Sequence, residues 1–244
     1  MPRIFIDPGH GGKDRSNKGP TGYIEADGVL DIALRLKPLL QAAAFHVRLS
    51  RETDATVSLY DRSAKANNWE ADLLVSIHTN AHSNPSANGA ETWYSLNGEW
   101  GGQFHAEAKR VANIVQAELV ARTGLRDRGI KTRLIETAGS PIRGMDWYAV
   151  IRRTKCPAII IEAGFHTNPT EEAWLKSQDY RQKIADAIAA ALEKAYPKAC
   201  QERIAELMKE SKELAQNNIK IKTERDKLKM AIKRIQEVVM EFEP

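Results

Sequence analysis

The chain has 244 residues, 42% of them hydrophobic, enough for one sizeable domain with a buried core and an appendage. Its 36 Lys and Arg against 32 Asp and Glu leave a net charge of +4, a mild excess that suits an anionic surface such as a cell wall without defining one. No basic run is interleaved with aromatics and no helix-turn-helix or RNA-binding signature appears, so nucleic acid is not an expected partner; no stretch reaches the roughly 18 apolar residues of a membrane span.

The N-terminus, Met1 to Asp7, reads as a strand, with no charged segment and long apolar run to mark a signal peptide. Synthesis in the cytoplasm is therefore the expectation. Strands are predicted at Arg3–Asp7, Phe45–Ser50, Asp72–His78, Glu91–Ser95 and Ala158–Glu162, short and rich in Ile and Val as buried strands should be. Helices are predicted between them, at Glu25–Ala44, Ser58–Glu70, Gln103–Thr123 and Gln178–Tyr196. In the third, Val111, Ile114, Val115 and Leu119 make an apolar stripe interrupted by Glu118, and Gly124 stands where a C-cap glycine belongs. Cys156 and Cys200 are distant and outside any CxxC, which excludes a disulfide framework and a thiolate zinc site; Cys156 reads as a small core residue. Strand–helix alternation predicts a three-layer α/β domain over residues 1–197.

Residues 198–244 differ in texture, with no glycine, Trp or Tyr. Read as heptads, every d position is apolar: Leu207, Leu214, Ile221, Leu228, Ile235 and Phe242. The a positions are Ile204, Ser211, Asn218, Arg225, Ile232 and Val239, so the middle of the seam is polar, and Glu224 with Lys229 forms one good ion pair between helices. A helical tail reaching about 60 Å follows. It is expected either to self-associate as a coiled coil or to pack on the body as an amphipathic helix, and either form could serve wall targeting.

Four segments concentrate the chemistry. Asp7-Pro8-Gly9-His10-Gly11-Gly12 follows a strand; Glu25 opens the first long helix; Ser76-Ile77-His78 and Ile161-Glu162 close strands. Each alone has an ordinary structural explanation, a loop histidine or a carboxylate favouring a helix N-terminus. Together, two histidines and a carboxylate match the ligand set of a hydrolytic zinc site, with a separate carboxylate to move the proton. In a parallel sheet the ends of three such strands share one edge, where sites form.

These segments, with Ser76-Ile77-His78-Thr79-Asn80-Ala81 and Glu162-Ala163-Gly164-Phe165-His166-Thr167-Asn168, resemble the four signature blocks of the zinc-dependent peptidoglycan amidases, the amidase 3 family. Arg62 and the run Gly124-Leu125-Arg126-Asp127-Arg128-Gly129-Ile130-Lys131 are further matches, and the likeness covers roughly residues 2 to 196. The resemblance implies a central, mostly parallel sheet of six strands, zinc ligands at His10, Glu25 and His78, and Glu162 as catalytic acid and base. The substrate it implies is the amide joining N-acetylmuramic acid to L-alanine in peptidoglycan, cut by metal-activated water. His166 departs from the pattern, where relatives often carry an aliphatic residue; contact with substrate or with the residues around the metal is one reading, and a loop variant is the expected one. His46, His82 and His105 read as structural or surface residues.

A wall hydrolase without a leader fits best a phage endolysin, released to the wall after synthesis; it also fits a spore or mother-cell lysin, or a chain whose leader has been removed. Two other functions compete: a zinc peptidase cutting within the stem peptide, and a non-catalytic wall-binding scaffold. Loss of lysis in Glu162→Ala with binding preserved excludes the scaffold.

Overall fold

The structure, a computed structural model, describes residues 1–241. Six strands make one sheet in the order β2-β1-β3-β6-β4-β5. They are β1 (Arg3–Pro8), β2 (His46–Leu49), β3 (Leu73–Asn80), β4 (Ala90–Tyr94), β5 (Asp127–Lys131) and β6 (Ala158–Phe165). The first four in spatial order run parallel; β4 is antiparallel to β6, and β5 is parallel to β4. Sheet and helices form the expected mostly parallel α/β architecture.

Alternation along the strands sorts their side chains onto two faces. Ile4, Ile6, Val75, Ile77, Ile159 and Ile161 join the larger core with α1 (Glu25–Ala42), α3 (His105–Thr123) and α6 (Gln178–Ala195). Phe5, Leu74, Ala158 and Ile160 take the other face and pack with Ala66 of α2 (Leu59–Asn68) and with Val150 and Ile151 of α4 (Ala149–Arg152). Each fully buried Ile or Leu contributes roughly 1.5–3 kcal/mol. The second face changes character along its length. Beyond Phe5, Leu74 and Ile160 the same alternation presents Asp7, Ser76, His78 and Glu162, so an apolar half gives way to a polar half toward the C-terminal edge.

Several boundaries differ from the sequence reading. β3 and β6 continue past His78 and Glu162, so both residues lie inside strands. Gly124 caps α3 in the left-handed region, φ 74°, as expected. The short β5 was not anticipated as a strand: only Ile130 is strongly apolar, and Gly129 sits at φ +77°. Two short helices, α4 and α5 (Pro169–Lys176), were also missed; α5 starts where Asn168 accepts hydrogen bonds from the N–H groups of Thr170 and Glu171. Cys156 is buried in the second core.

The chain divides into two compact units, Met1–Cys200 and Gln201–Pro244. Helix α7 covers Pro197–Glu241. Leu207, Leu214, Ile221, Leu228, Ile232 and Ile235 are exposed on it. Phe242 lies outside the described residues, as do the side chains of Cys200, Ile204 and Val239.

Candidate metal centre and its carboxylate

His10 follows β1 in the left-handed region, φ 56°, unusual for a residue with a side chain. Two buried arginines hold the turn in that shape. Arg62 donates to the carbonyls of Pro8 and His10, both at 2.7 Å, and to Asp7 Oδ1 at 2.7 Å. Arg51 donates to Gly9 O at 2.7 Å and to Ala26 O at 2.8 Å, tying the turn to the first turn of α1. Burial alone would raise the Asp7 carboxyl, but the Arg62 charge and hydrogen bonds from Ser50 and Ser76 outweigh it and hold it below its ordinary value.

Glu25, 1% exposed, opens α1 beneath this turn. Its Oε1 accepts from Thr79 N at 2.9 Å and from His78 Nδ1 at 3.0 Å; its Oε2 accepts from Asn17 Nδ2 at 2.9 Å and lies 3.3 Å from His10 Nε2. The His10 and His78 rings meet edge to face with centroids 5.0 Å apart. Their closeness depends on Gly9, whose added Cβ would fall 2.2 Å from His78 Cε1. The chain thus brings together three residues that the sequence reading singled out: one donor atom each from His10, Glu25 and His78 all lie within 4.8 Å of one another.

The donor set fits a zinc ion: two imidazoles and one carboxylate, with a second carboxylate orienting one ring. That orienting group is Asp14, whose Oδ2 accepts from His10 Nδ1 at 2.8 Å and leaves Nε2 facing Glu25. The electrostatics favour a cation there. Burial works against charge on His10, yet Glu25 and Asp14 outweigh it and raise its pKa to about 9. Glu25 is shifted the opposite way: burial would raise it, and the two histidines pull it well below the usual carboxylate range.

Glu162 stands beside this cluster, paired across β3 with His78 and across β4 with Glu91. Its Oε2 is buried and has no hydrogen-bond partner among the described residues. Burial, then the charges of Glu25 and Glu91, push its pKa well above the ordinary value. Two neighbouring carboxylates thus have opposite tendencies, one fixed as an anion and one able to carry a proton, the pattern that separates a ligand from an acid–base group.

His166 proves to be more than a loop variant. It is 2% exposed, its Nδ1 lies 2.9 Å from Thr79 Oγ1 and 3.9 Å from Glu25 Oε2, and burial lowers its pKa. Its place behind Glu25 depends on β6 running on to Phe165 and on His166 N bonding to Asn80 O, neither visible in the sequence. Asp14, Asn17 and Arg51 were missed for a similar reason: polar residues in a loop or at a strand end carry no periodic signal. The other histidines stay apart. His46 is exposed on β2, His82 accepts from Asn84 N, and His105 packs its ring on Tyr94.

Helix α5 fastens the surrounding loops. Glu172, fully buried, accepts from the N–H groups of Thr21 and Tyr23 just before Glu25; Glu171 accepts from Phe165 N and Gly89 N beside Glu162 and Glu91.

Comparison with known proteins agrees with this geometry. A family model described as N-acetylmuramoyl-L-alanine amidase matches residues 4–194. The chain is 38% identical over 185 residues to the N-acetylmuramoyl-L-alanine amidase LytC of Bacillus subtilis, covering 76% of this chain and 34% of that protein. It is 34% identical over 197 residues to the N-acetylmuramoyl-L-alanine amidase CwlM of Mycobacterium tuberculosis, covering 80% of this chain and 45% of that protein. The chain therefore spans less than half the length of these two relatives. Among solved structures, an N-acetylmuramoyl-L-alanine amidase of Clostridium difficile 630 superposes with a TM-score of 0.68 at 36% identity, covering 81% of this chain and 97% of the other. The catalytic domain of CwlV from Bacillus (Paenibacillus) polymyxa var. colistinus gives 0.67 at 31% identity, covering 80% of this chain and 97% of that one.

Proposed function

The chain belongs to the N-acetylmuramoyl-L-alanine amidase family, and on that premise we propose that it hydrolyses the amide between N-acetylmuramic acid and L-alanine in peptidoglycan, with zinc held by His10, Glu25 and His78 and with Glu162 as acid and base. One observation carries the reading: three donors converge within 4.8 Å, and an unpartnered carboxylate stands next to them. Zinc bound there supplies a Lewis acid that polarises the scissile carbonyl and acidifies water. Glu162 takes the proton from the attacking water at its carboxylate and returns it to the departing nitrogen. Its burial suits it to hold that proton between the two steps. Asp14 orients the His10 ring and Glu25 the His78 ring, Thr79 N holds the Glu25 carboxylate, and Arg51 and Arg62 keep the His10 turn closed.

The test digests purified peptidoglycan with zinc-loaded full-length protein and identifies the new chain ends. Free L-alanine amino termini are expected, with none after chelation. New amines further along the stem would make the protein a peptidase. No new ends would favour the wall-binding scaffold.

The 198–244 tail is assigned self-association through its a/d seam. What supports this is the row of exposed leucines and isoleucines along one helix. Light scattering at micromolar concentration is expected to give a dimer or larger for the full chain and a monomer for a chain ending at Tyr196. Two monomers would refute the assignment. Among the described residues no helix is long and apolar enough to cross a membrane.

A further inference from the structure

Beyond Glu162, on the side of the sheet away from the metal-binding histidines, the polar face continues into a wall of aromatic and basic side chains. Glu91 is the cross-strand neighbour of Glu162. Its carboxylate accepts from Trp93 Nε1 at 3.2 Å, from Arg128 Nε at 2.7 Å and from Lys131 Nζ at 2.5 Å. Lys131 lies over the Trp93 ring at 5.5 Å, and Trp93 packs edge to face on Tyr148 at 5.4 Å. Farther out, Arg133 stacks on Trp147 at 4.1 Å. These two residues line a cavity of about 500 Å3 together with Leu96, Thr132, Leu134 and Glu136.

The outer part of this wall is anchored from below. Asp146 is fully buried and accepts from Leu96 N and Asn97 N, while Arg152 donates to the carbonyls of Asp146 and Trp147. The backbone bearing Trp147 is thereby fixed, yet its indole is 44% exposed. An exposed aromatic on a rigid base, carrying an arginine that reaches the Tyr148 hydroxyl but pairs with no carboxylate, is built for contact with something else. Among the described residues no carboxylate lies within 4.0 Å of the Arg133 guanidinium. Along the whole wall three cations, Arg128, Lys131 and Arg133, face two carboxylates, Glu91 and Glu136.

We propose that this wall is a subsite for the leaving stem peptide, in which Trp93 and Tyr148 take its aliphatic part and Arg133, with Lys131, binds a free carboxylate on its second residue. The inference rests on the amidase reading above. Direction supports it: the group that protonates the departing nitrogen lies between the histidines and this wall, so the amine side of the cleaved bond leaves across Glu162 toward β4 and β5. An arginine recognises a planar carboxylate through paired hydrogen bonds, which a carboxamide cannot reproduce.

The test compares two muramoyl-L-alanyl peptides that differ in one group, the second residue carrying a free carboxylate or its carboxamide. Zinc-loaded full-length protein is expected to cut the carboxylate form with a kcat/KM about tenfold higher. Arg133→Ala is expected to bring that ratio near one, chiefly through KM, and Arg133→Lys to restore part of it. Arg133 is exposed, so folding is not at stake; Arg122→Ala, an exposed arginine on α3, should leave the ratio as it is. Calorimetric binding of the two released peptides supplies a second readout, with the same preference expected and the same loss in Arg133→Ala. Cleavage at the muramoyl amide with a ratio near one in the wild type, or with a ratio that survives Arg133→Ala, overturns the subsite and leaves the amidase reading intact. A carboxylate preference in binding that Arg133→Ala abolishes, with neither substrate cut, supports the subsite and overturns the amidase reading. No cleavage and no binding preference overturn both.

Discussion

Glu162→Gln should lose roughly a thousandfold or more of its turnover on peptidoglycan, within the range that one positioned acid–base group contributes, while keeping the fold and the ability to bind zinc. The glutamine amide fills the same space but can neither take nor return a proton. The stability of the variant distinguishes this role from a structural one. Glu162 has an unpartnered buried oxygen and two anionic neighbours, Glu25 and Glu91, so removing its charge relieves repulsion instead of breaking a contact. Its folded pKa is raised, so in the metal-free wild type stability falls as pH climbs from the unfolded carboxylate value toward the folded one. Glu162→Gln lacks that loss. In chelator at pH 7 its melting temperature should equal or exceed that of the wild type. A variant that is both inactive and several degrees less stable would point to a structural carboxylate, and one that keeps most of its activity would remove Glu162 from the chemistry.

Arg62→Met should be among the most destabilising single changes in the body, costing about 3–5 kcal/mol, because it leaves a buried carboxylate without its partner. That is a large share of the roughly 5–15 kcal/mol that holds a domain folded. Arg62 is 4% exposed and Asp7 1%, so water cannot replace the guanidinium; the His10 carbonyl loses its arginine donor as well, and the Pro8 carbonyl keeps only Arg51 Nε at 3.1 Å. The sign of the pH dependence follows from Asp7. In the wild type its folded pKa is depressed, so its stabilisation is present above the unfolded value and fades only as pH falls through the lower folded one. In Arg62→Met burial is no longer outweighed, the folded pKa rises, and protonation relieves the isolated charge. Urea midpoints of the two proteins should therefore converge between pH 7 and pH 4.5. A constant gap across that range would mean that packing, and not the buried charge, accounts for the loss.

What could be read from the sequence, and what could not, divides along physical lines. Long apolar periodicities announce themselves, so four of the five foreseen strands lie side by side and parallel, and the four long helices of the body are where they were expected. His10, Glu25 and His78 were legible because His10 follows a strand, Glu25 opens the first long helix and His78 lies toward the end of a strand. β5 escaped because its residues are half exposed and mostly polar, and its strand character comes only from pairing with β4. The reversed direction of β4 has no local signature either. Of the two readings of His166 the sequence favoured the loop variant, because a histidine after Gly-Phe reads as loop until β6 is seen to carry it under Glu25. Arg51, Arg62 and Glu172 reach backbone groups of Gly9, His10 and Thr21 from far away in the chain, and no short window of sequence contains both partners.

The carboxylates of α5 make that last point concrete. Glu172 holds Thr21 and Tyr23 across sequence separations of 151 and 149 residues. The loop that delivers Glu25 is thus clasped by a helix near the far end of the catalytic unit. During synthesis His10, Glu25, His78 and Glu162 all leave the ribosome before the clasp exists. A nascent or truncated chain that ends before α5 therefore has all four of these side chains and still lacks the clasp on the loop that carries Glu25.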